Sequence, residues 1–135
     1  MSIKVLIIDD DPTIMLLHKA MVIKSNLDKQ PLVFANGKKA MDYFNENNDT
    51  AAEEDYLVLL DINMPIMDGW GFLNSVQGTV YAKKLHIIMV TSSVDIADKD
   101  KAGKFPQVIA YMEKPLRIDA CNKIKQFPEL TTFYN

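Results

Sequence analysis

Ile3-Lys4-Val5-Leu6-Ile7-Ile8, followed at once by Asp9-Asp10-Asp11-Pro12, decides how this chain is read. An apolar, β-branched run of strand length with only one charge in it fits a strand buried on both faces, as in a parallel sheet. Asp11 can cap a helix, and Pro12 suits its first turn, where a missing N–H costs nothing. Ile14, Leu17, His18, Met21 and Val22 then recur at helical spacing. One strand followed directly by one amphipathic helix is the repeating unit to look for downstream.

It recurs four more times. Pro31 to Ala35 is a weaker apolar run, and Asn36 can cap a helix with Ala40, Met41, Tyr43 and Phe44 on its inner side. Tyr56 to Leu60 leads to a short helix over Gly69 to Val76. Leu85 to Val90 leads to a solvated, lysine- and aspartate-rich helix over Asp95 to Lys104. Val108 to Met112 leads to a fifth helix over Ile118 to Phe127. The polar stretch from Asn47 to Asp55 reads as a loop. Five strand–helix units predict an α/β, flavodoxin-like (βα)5 three-layer sandwich with right-handed crossovers and a five-stranded parallel sheet of order 2-1-3-4-5. In that order strands 1 and 3 are neighbours, and ligands bind beyond their carboxyl ends.

The bulk composition allows this and excludes much else. At 135 residues, with 48% hydrophobic and 24% charged residues, the chain reads as one domain, residues 1–135, with a core of about 4–127 and a short tail, 128–135. The formal net charge is −3 with both signs interspersed, so no nucleic-acid partner is expected. The single cysteine, Cys121, excludes an internal disulfide. The apolar N-terminal run is too short for a membrane span. These readings predict a cytoplasmic protein with no membrane partner.

The strand ends at the expected ligand site are acidic. The first strand ends in Asp9-Asp10-Asp11 and the third in Asp61. Converging carboxylates repel unless a cation or proton intervenes. An all-oxygen cluster suits a hard divalent ion such as Mg²⁺. Asp11 is better placed as a cap. The fourth strand ends in Thr91-Ser92, a hydroxyl able to donate to a phosphoryl oxygen. The fifth is followed by Lys114-Pro115, an ammonium suited to phosphate on a backbone restricted by proline.

Taken in order, Ile7-Ile8-Asp9-Asp10-Asp11-Pro12, Leu60-Asp61-Ile62-Asn63-Met64-Pro65-Ile66-Met67-Asp68-Gly69, Val90-Thr91-Ser92 and Tyr111-Met112-Glu113-Lys114-Pro115 resemble the receiver domain of two-component response regulators of the single-domain, CheY-like kind. The likeness runs from about Lys4 to Phe127. It implies that Asp61 is the phosphoacceptor and that Asp10 and Asp61 hold Mg²⁺ directly. It implies that Asp9 supports the ion and that the Asn63 carbonyl is a further ligand. Lys114 would contact the phosphoryl group, Thr91 would sense it, and Tyr111 would be the switch aromatic. Pro65 and Gly69 would shape the loop after Asp61. The donor would be a histidine kinase or histidine phosphotransfer protein, and the output a downstream protein target. The chain departs from the family's usual pattern in having Ser92 after the threonine and Gln107-Val108-Ile109-Ala110 before Tyr111. The segment from Thr91 to Lys114 also looks about one residue long.

Two other functions compete with this one. An aspartate-nucleophile phosphohydrolase would usually carry a second aspartate two residues after the first, where this chain has Asn63. A phosphorylation-independent binding module would typically lack an acidic group or the lysine, and all are present. His18 and His86 are expected to pack, as is Cys121. Met15, Met21, Met41, Met89 and Met112 are expected to fill the core, and Met64 and Met67 to face partners. Trp70 is expected to have no chemical role.

Overall fold

The computed structural model describes residues 2–47 and 53–134, so the tip of the loop expected between Asn47 and Asp55 lies outside the described residues. The elements are β1 (Ile3–Ile8), α1 (Pro12–Lys24), β2 (Leu32–Phe34), α2 (Gly37–Glu46), β3 (Asp55–Leu60), α3 (Gly69–Val76), a helical turn at Ala82–Lys84, β4 (Leu85–Thr91), α4 (Ile96–Ala102), β5 (Val108–Glu113), α5 (Ile118–Ile124) and α6 (Thr131–Tyr134). All strands are parallel, in the order β2-β1-β3-β4-β5. This is the flavodoxin-like order expected from the strand–helix alternation.

Strand residues alternate between two cores because successive side chains leave a sheet on opposite faces. Leu6, Ile8, Tyr56, Val58, Leu60, Leu85, Ile87 and Met89 face Ala40, Met41 and Phe44 of α2 and Phe72, Leu73 and Val76 of α3. Val5, Ile7, Leu57, Leu59, Ile88 and Val90 face Val22 of α1 and Cys121 and Ile124 of α5. Both faces are covered, so the strands read as continuous apolar runs. The first core is aromatic at its centre. Phe44 stacks on Tyr81 with ring centroids 4.8 Å apart and meets Tyr56 edge-on at 5.1 Å.

Local signals set the helix starts. The Asp11 carboxylate accepts from the N–H groups of Thr13 and Ile14 ahead of Pro12. Asn36 caps α2 through Lys39 N–H, and Asp68 caps α3 through Gly71 N–H. These side chains satisfy donors that a helix leaves unpaired.

Several boundaries differ from the sequence reading. β2 is shorter than Pro31 to Ala35, and α4 begins after its cap, Asp95. α5 stops at Ile124, three residues before Phe127. The expected tail is instead a packed segment. Leu130 is fully buried in the second core, α6 follows it, and the Tyr134 hydroxyl donates to the Leu27 carbonyl at 3.0 Å. Leu130, Phe133 and Tyr134 supply the apolar area that keeps it there. β5 carries one residue more than its partner. Ile87 pairs with Val108 and Ile88 with Ala110, leaving Ile109 as a bulge. That residue lies within the segment that looked one residue long. No helix among the described residues is long and apolar enough to cross a membrane.

Candidate functional site

Register brings the acids together. Ile8 pairs with Leu60, so the next residues on each strand, Asp9 and Asp61, stand side by side at the carboxyl edge. The backbone continues the sheet by one bond on each side: Asp9 N–H donates to the Phe34 carbonyl and Asp61 N–H to the Ile8 carbonyl, both at 3.0 Å. Both side chains are buried, while Asp10 is exposed. One carboxylate oxygen from each of Asp9, Asp10 and Asp61 lies within 4.8 Å of the others.

Lys114 completes the cluster from the end of β5. Its Nζ donates to Asp9 Oδ2 and to Asp61 Oδ2, each at 3.0 Å. The remaining oxygens are held by backbone: Asp11 N–H donates to Asp9 Oδ1 and Ile62 N–H to Asp61 Oδ1. Burial raises the Asp9 carboxyl above its ordinary range, against the lowering pull of Asp11 N–H and Lys114; neighbouring Asp61 adds to the rise. Burial works to lower Lys114, but the hydrogen bonds and charges of Asp61 and Asp9 outweigh it and hold the ammonium above its ordinary range. Three carboxylates facing one ammonium leave a formal excess of two negative charges. That excess and the all-oxygen donor set suit a hard divalent cation.

Thr91 is fully buried at the end of β4, and its Oγ1 accepts from Ser93 N–H at 3.3 Å. The Tyr111 hydroxyl donates to the Ser93 carbonyl at 3.0 Å, and Ser93 Oγ donates to Asp98 Oδ2 at 2.7 Å. Ser93 thus joins the end of β4, the start of α4 and the ring on β5. The sequence reading passed over it. The signal was present in a small hydroxyl residue between Thr91 and the cap Asp95. Asn63 is exposed two residues after Asp61, and Pro65 is exposed near it.

The loop after Asp61 is held tightly. A Cβ on Gly69 would lie 2.4 Å from the Asp61 carbonyl oxygen, so only glycine fits there, and its N–H donates to the Ile62 carbonyl at 2.8 Å. Ile66 takes φ 70°, a strained conformation for a β-branched residue, and is 81% exposed. Met64 and Met67 do not face outward as expected. Both are half-buried against the first core, and Met67 wedges against Gly37 and Gly71 while its carbonyl accepts from Gly37 N–H at 3.0 Å. Glycine at both contacts leaves room for the thioether.

The other residues singled out in the sequence are placed as follows. Met41 and Met89 are buried, and Met21 and Met112 are partly buried against the second core. Met15 is half-buried, and Cys121 is fully buried. Trp70 stacks on Phe105 with Lys101 over its ring, 4.4 Å from the centroid. His86 is half-buried and meets Asp55 at 3.2 Å. His18 is buried and accepts from Leu116 N–H. The Lys114–Pro115 peptide is cis.

A fold and site of this kind define a response regulator receiver. The chain belongs to that family: the model of the response regulator receiver domain matches residues 5–125. The chain is 34% identical over 103 residues to the probable chemotaxis protein CheY of Rhizobium etli, a match covering 76% of this chain and 74% of that protein. Among solved structures it resembles a two-component response regulator from Cytophaga hutchinsonii, with TM-score 0.82 and 24% identity over 97% of this chain and 98% of that one. It also resembles the Mn(2+)-bound form of response regulator Rcp1, with TM-score 0.74 and 20% identity over 98% and 96% of the two chains. The chain is therefore a CheY-like receiver domain of two-component signalling, a family whose members interact with histidine kinases and downstream targets.

Proposed function

We propose that the chain is a single phosphoacceptor receiver unit, acting in the cytoplasm, that takes a phosphoryl group onto Asp61 from a histidine kinase or histidine phosphotransfer protein. The observation that carries this reading is Lys114 Nζ, 3.0 Å from both Asp9 and Asp61 at the carboxyl edge of the sheet. A carboxylate is a weak nucleophile, so the transfer depends on position and charge rather than on a strong base. An Asp61 oxygen attacks phosphorus; the new O–P bond forms as the P–N bond to the donor imidazole breaks, and the imidazole keeps that electron pair. Lys114 follows the incoming charge and offsets it on the phosphoryl oxygens. Asp9, Asp10 and Asp61, with the Asn63 carbonyl, would hold Mg²⁺, which supplies further charge neutralisation when bound. The Mn(2+)-bound form of response regulator Rcp1 is in keeping with that donor set.

The acyl phosphate is the signal. Thr91 offers its hydroxyl proton to a phosphoryl oxygen, and this movement loosens its acceptor bond to Ser93 N–H. Ser93 is also what the Tyr111 hydroxyl holds, so the ring and the β4–α4 loop respond together. The chain would catalyse only its own phosphorylation and dephosphorylation, and its output would be a changed affinity for a protein target. Asn63 in place of a second acid is a reason to set aside turnover of external phosphate esters.

The test is intact-protein mass spectrometry after incubation with acetyl phosphate, with and without Mg²⁺, on wild type and Asp61→Ala. The expected result is one added phosphoryl group that requires both Mg²⁺ and Asp61. No adduct, together with no beryllofluoride-induced NMR change, would replace this reading with a binding module whose site is silent.

A further inference from the structure

Lys114 reaches its two carboxylates on a flexible four-carbon stem. The direction of that stem depends on how the backbone is held on either side. On the strand side the hold is evident: Lys114 N–H donates to the Thr91 carbonyl at 3.1 Å. Pro115 has no N–H to offer. The next donor is Leu116 N–H, on a residue only 1% exposed. A buried N–H without an acceptor is costly, so its partner decides where the turn sits. That partner is a side chain 98 residues earlier: Leu116 N–H donates to His18 Nε2 at 2.9 Å. His18 sits on the inner side of α1 and is itself 1% exposed.

The geometry points to His18 as a positioning residue for Lys114, its Nε2 fixing the far side of the Lys114–Leu116 turn as the Thr91 carbonyl fixes the near side. This inference rests on the reading of Lys114 as the phosphoryl-binding ammonium. The neighbouring inner positions of α1 are Met21 and Val22, so packing alone does not call for an imidazole at position 18. An apolar residue there would leave Leu116 N–H unpaired, and the turn would settle elsewhere. As an acceptor at Nε2, the imidazole must be neutral with its proton on Nδ1. Burial, then the nearby positive charge of Lys114, push its pKa down to about 4, with Asp61 pulling the other way. The acceptor therefore persists through ordinary pH. His18 acts through Leu116 and has no part in the chemical step.

The experiment compares wild type, His18→Gln and His18→Leu. Glutamine can present an acceptor near the Nε2 position; leucine cannot. The first readout is the ¹⁵N–¹H NMR signal of the Lys114 ammonium, which is sharp only while the group is held and shielded from exchange. The second is the rate of adduct formation with acetyl phosphate and Mg²⁺. In His18→Leu the ammonium signal should broaden away and the rate at saturating donor should fall about tenfold, with the half-saturating concentration little changed. His18→Gln should restore both to within about twofold of wild type. Wild-type behaviour in both variants would mean that His18 only packs. Equal impairment in both would mean that ring shape matters and the acceptor does not. Either result overturns the proposal. Should His18→Leu fail to fold, wild type and His18→Gln decide it. A scalar coupling across the bond between His18 Nε2 and Leu116 N, with a wild-type ammonium signal in His18→Gln, supports the role, and absence of either overturns it. If wild type forms no adduct, the functional reading fails, while the ammonium signal still tests the positioning.

Discussion

At the carboxyl edge of the sheet, Asp9 and Asp61 share the ammonium of Lys114, with Asp10 beside them; at the amino edge, Asp55 faces both Lys84 and His86. The two edges are built from the same strands. β3 begins with Asp55 and is followed at its other end by Asp61. The difference is one of balance and of burial. The Asp61 side chain is 4% exposed and Asp9 3%, against 17% for Asp55 and 39% for Lys84. A partly exposed carboxylate matched by the Lys84 ammonium, with the His86 ring also beside it, is settled in its resting state. A cluster with two negative charges too many, two of its three carboxylates buried, is not, and its donor set suits a cation. One edge is thus suited to holding a fold together and the other to binding.

The most direct way to break the contrast is to remove the shared ammonium. Lys114→Met keeps the length of the stem and leaves two buried carboxylates facing one another. It should cost about 4 kcal/mol in urea unfolding at neutral pH. The loss should recede as the pH falls and the carboxylates take up protons. A variant as stable as wild type at pH 7 would show that the acids are solvated and that the contrast is false.

A second test uses pH alone. The His18 pKa drops from 6.5 to about 4 on folding. Below 6.5 the unfolded chain therefore takes a proton on this residue that the folded chain refuses until about 4. Stability should fall with pH across that window by up to about 3 kcal/mol from this group, with no further loss below it. Asp9 acts in the opposite sense, since a raised carboxyl favours the folded state as acid is added. The slope is best isolated as the difference between wild type and His18→Gln, which lacks it. Parallel pH–stability curves for the two proteins would remove the claim that His18 stays neutral when folded.

Smaller effects sharpen the contrast. Mg²⁺ at ten times its dissociation constant should stabilise the fold by about 1.4 kcal/mol. Asp10→Ala, which leaves the Lys114 contacts in place, should weaken that effect. Thermal melts in MgCl₂ and in NaCl of equal ionic strength measure it, and identical melts would mean the cluster does not bind the ion. Asp55→Asn, at the other edge, should change stability by less than about 1 kcal/mol and leave Mg²⁺ binding as it was. A larger loss there would show that the amino edge is no less dependent on its charges.

The site was legible to different depths. Asp9 and Asp61 could be placed from sequence because each directly follows a continuous apolar run, and the strand order makes those runs neighbours. Lys114 was set apart by Pro115, which restricts how it leaves the strand, and its role came only with the ordered motif set. His18 was read only as a packing residue. Nothing around position 18 announces that its ring nitrogen meets a backbone N–H at position 116. Ser93 was overlooked for a similar reason: its contacts to Thr91 and Asp95 are local, but the one that ties it to β5, from the Tyr111 hydroxyl, comes from 18 residues away.

The amino-acid sequence by itself determined the five strand–helix units, their parallel order, the helix caps and the acidic strand ends. Those follow from side-chain periodicity and from capping groups within three residues of the N–H they satisfy, both local, and from the sheet order that five strand–helix units favour. Only the tertiary structure decided that Leu130, Phe133 and Tyr134 close the second core, that Ile109 bulges from β5, that Met67 wedges between two glycines, and that His18 receives Leu116. Each of these depends on how far the layers stand apart and which buried group is left needing a partner. That is settled when the sheet and helices pack, not by any neighbour in the chain.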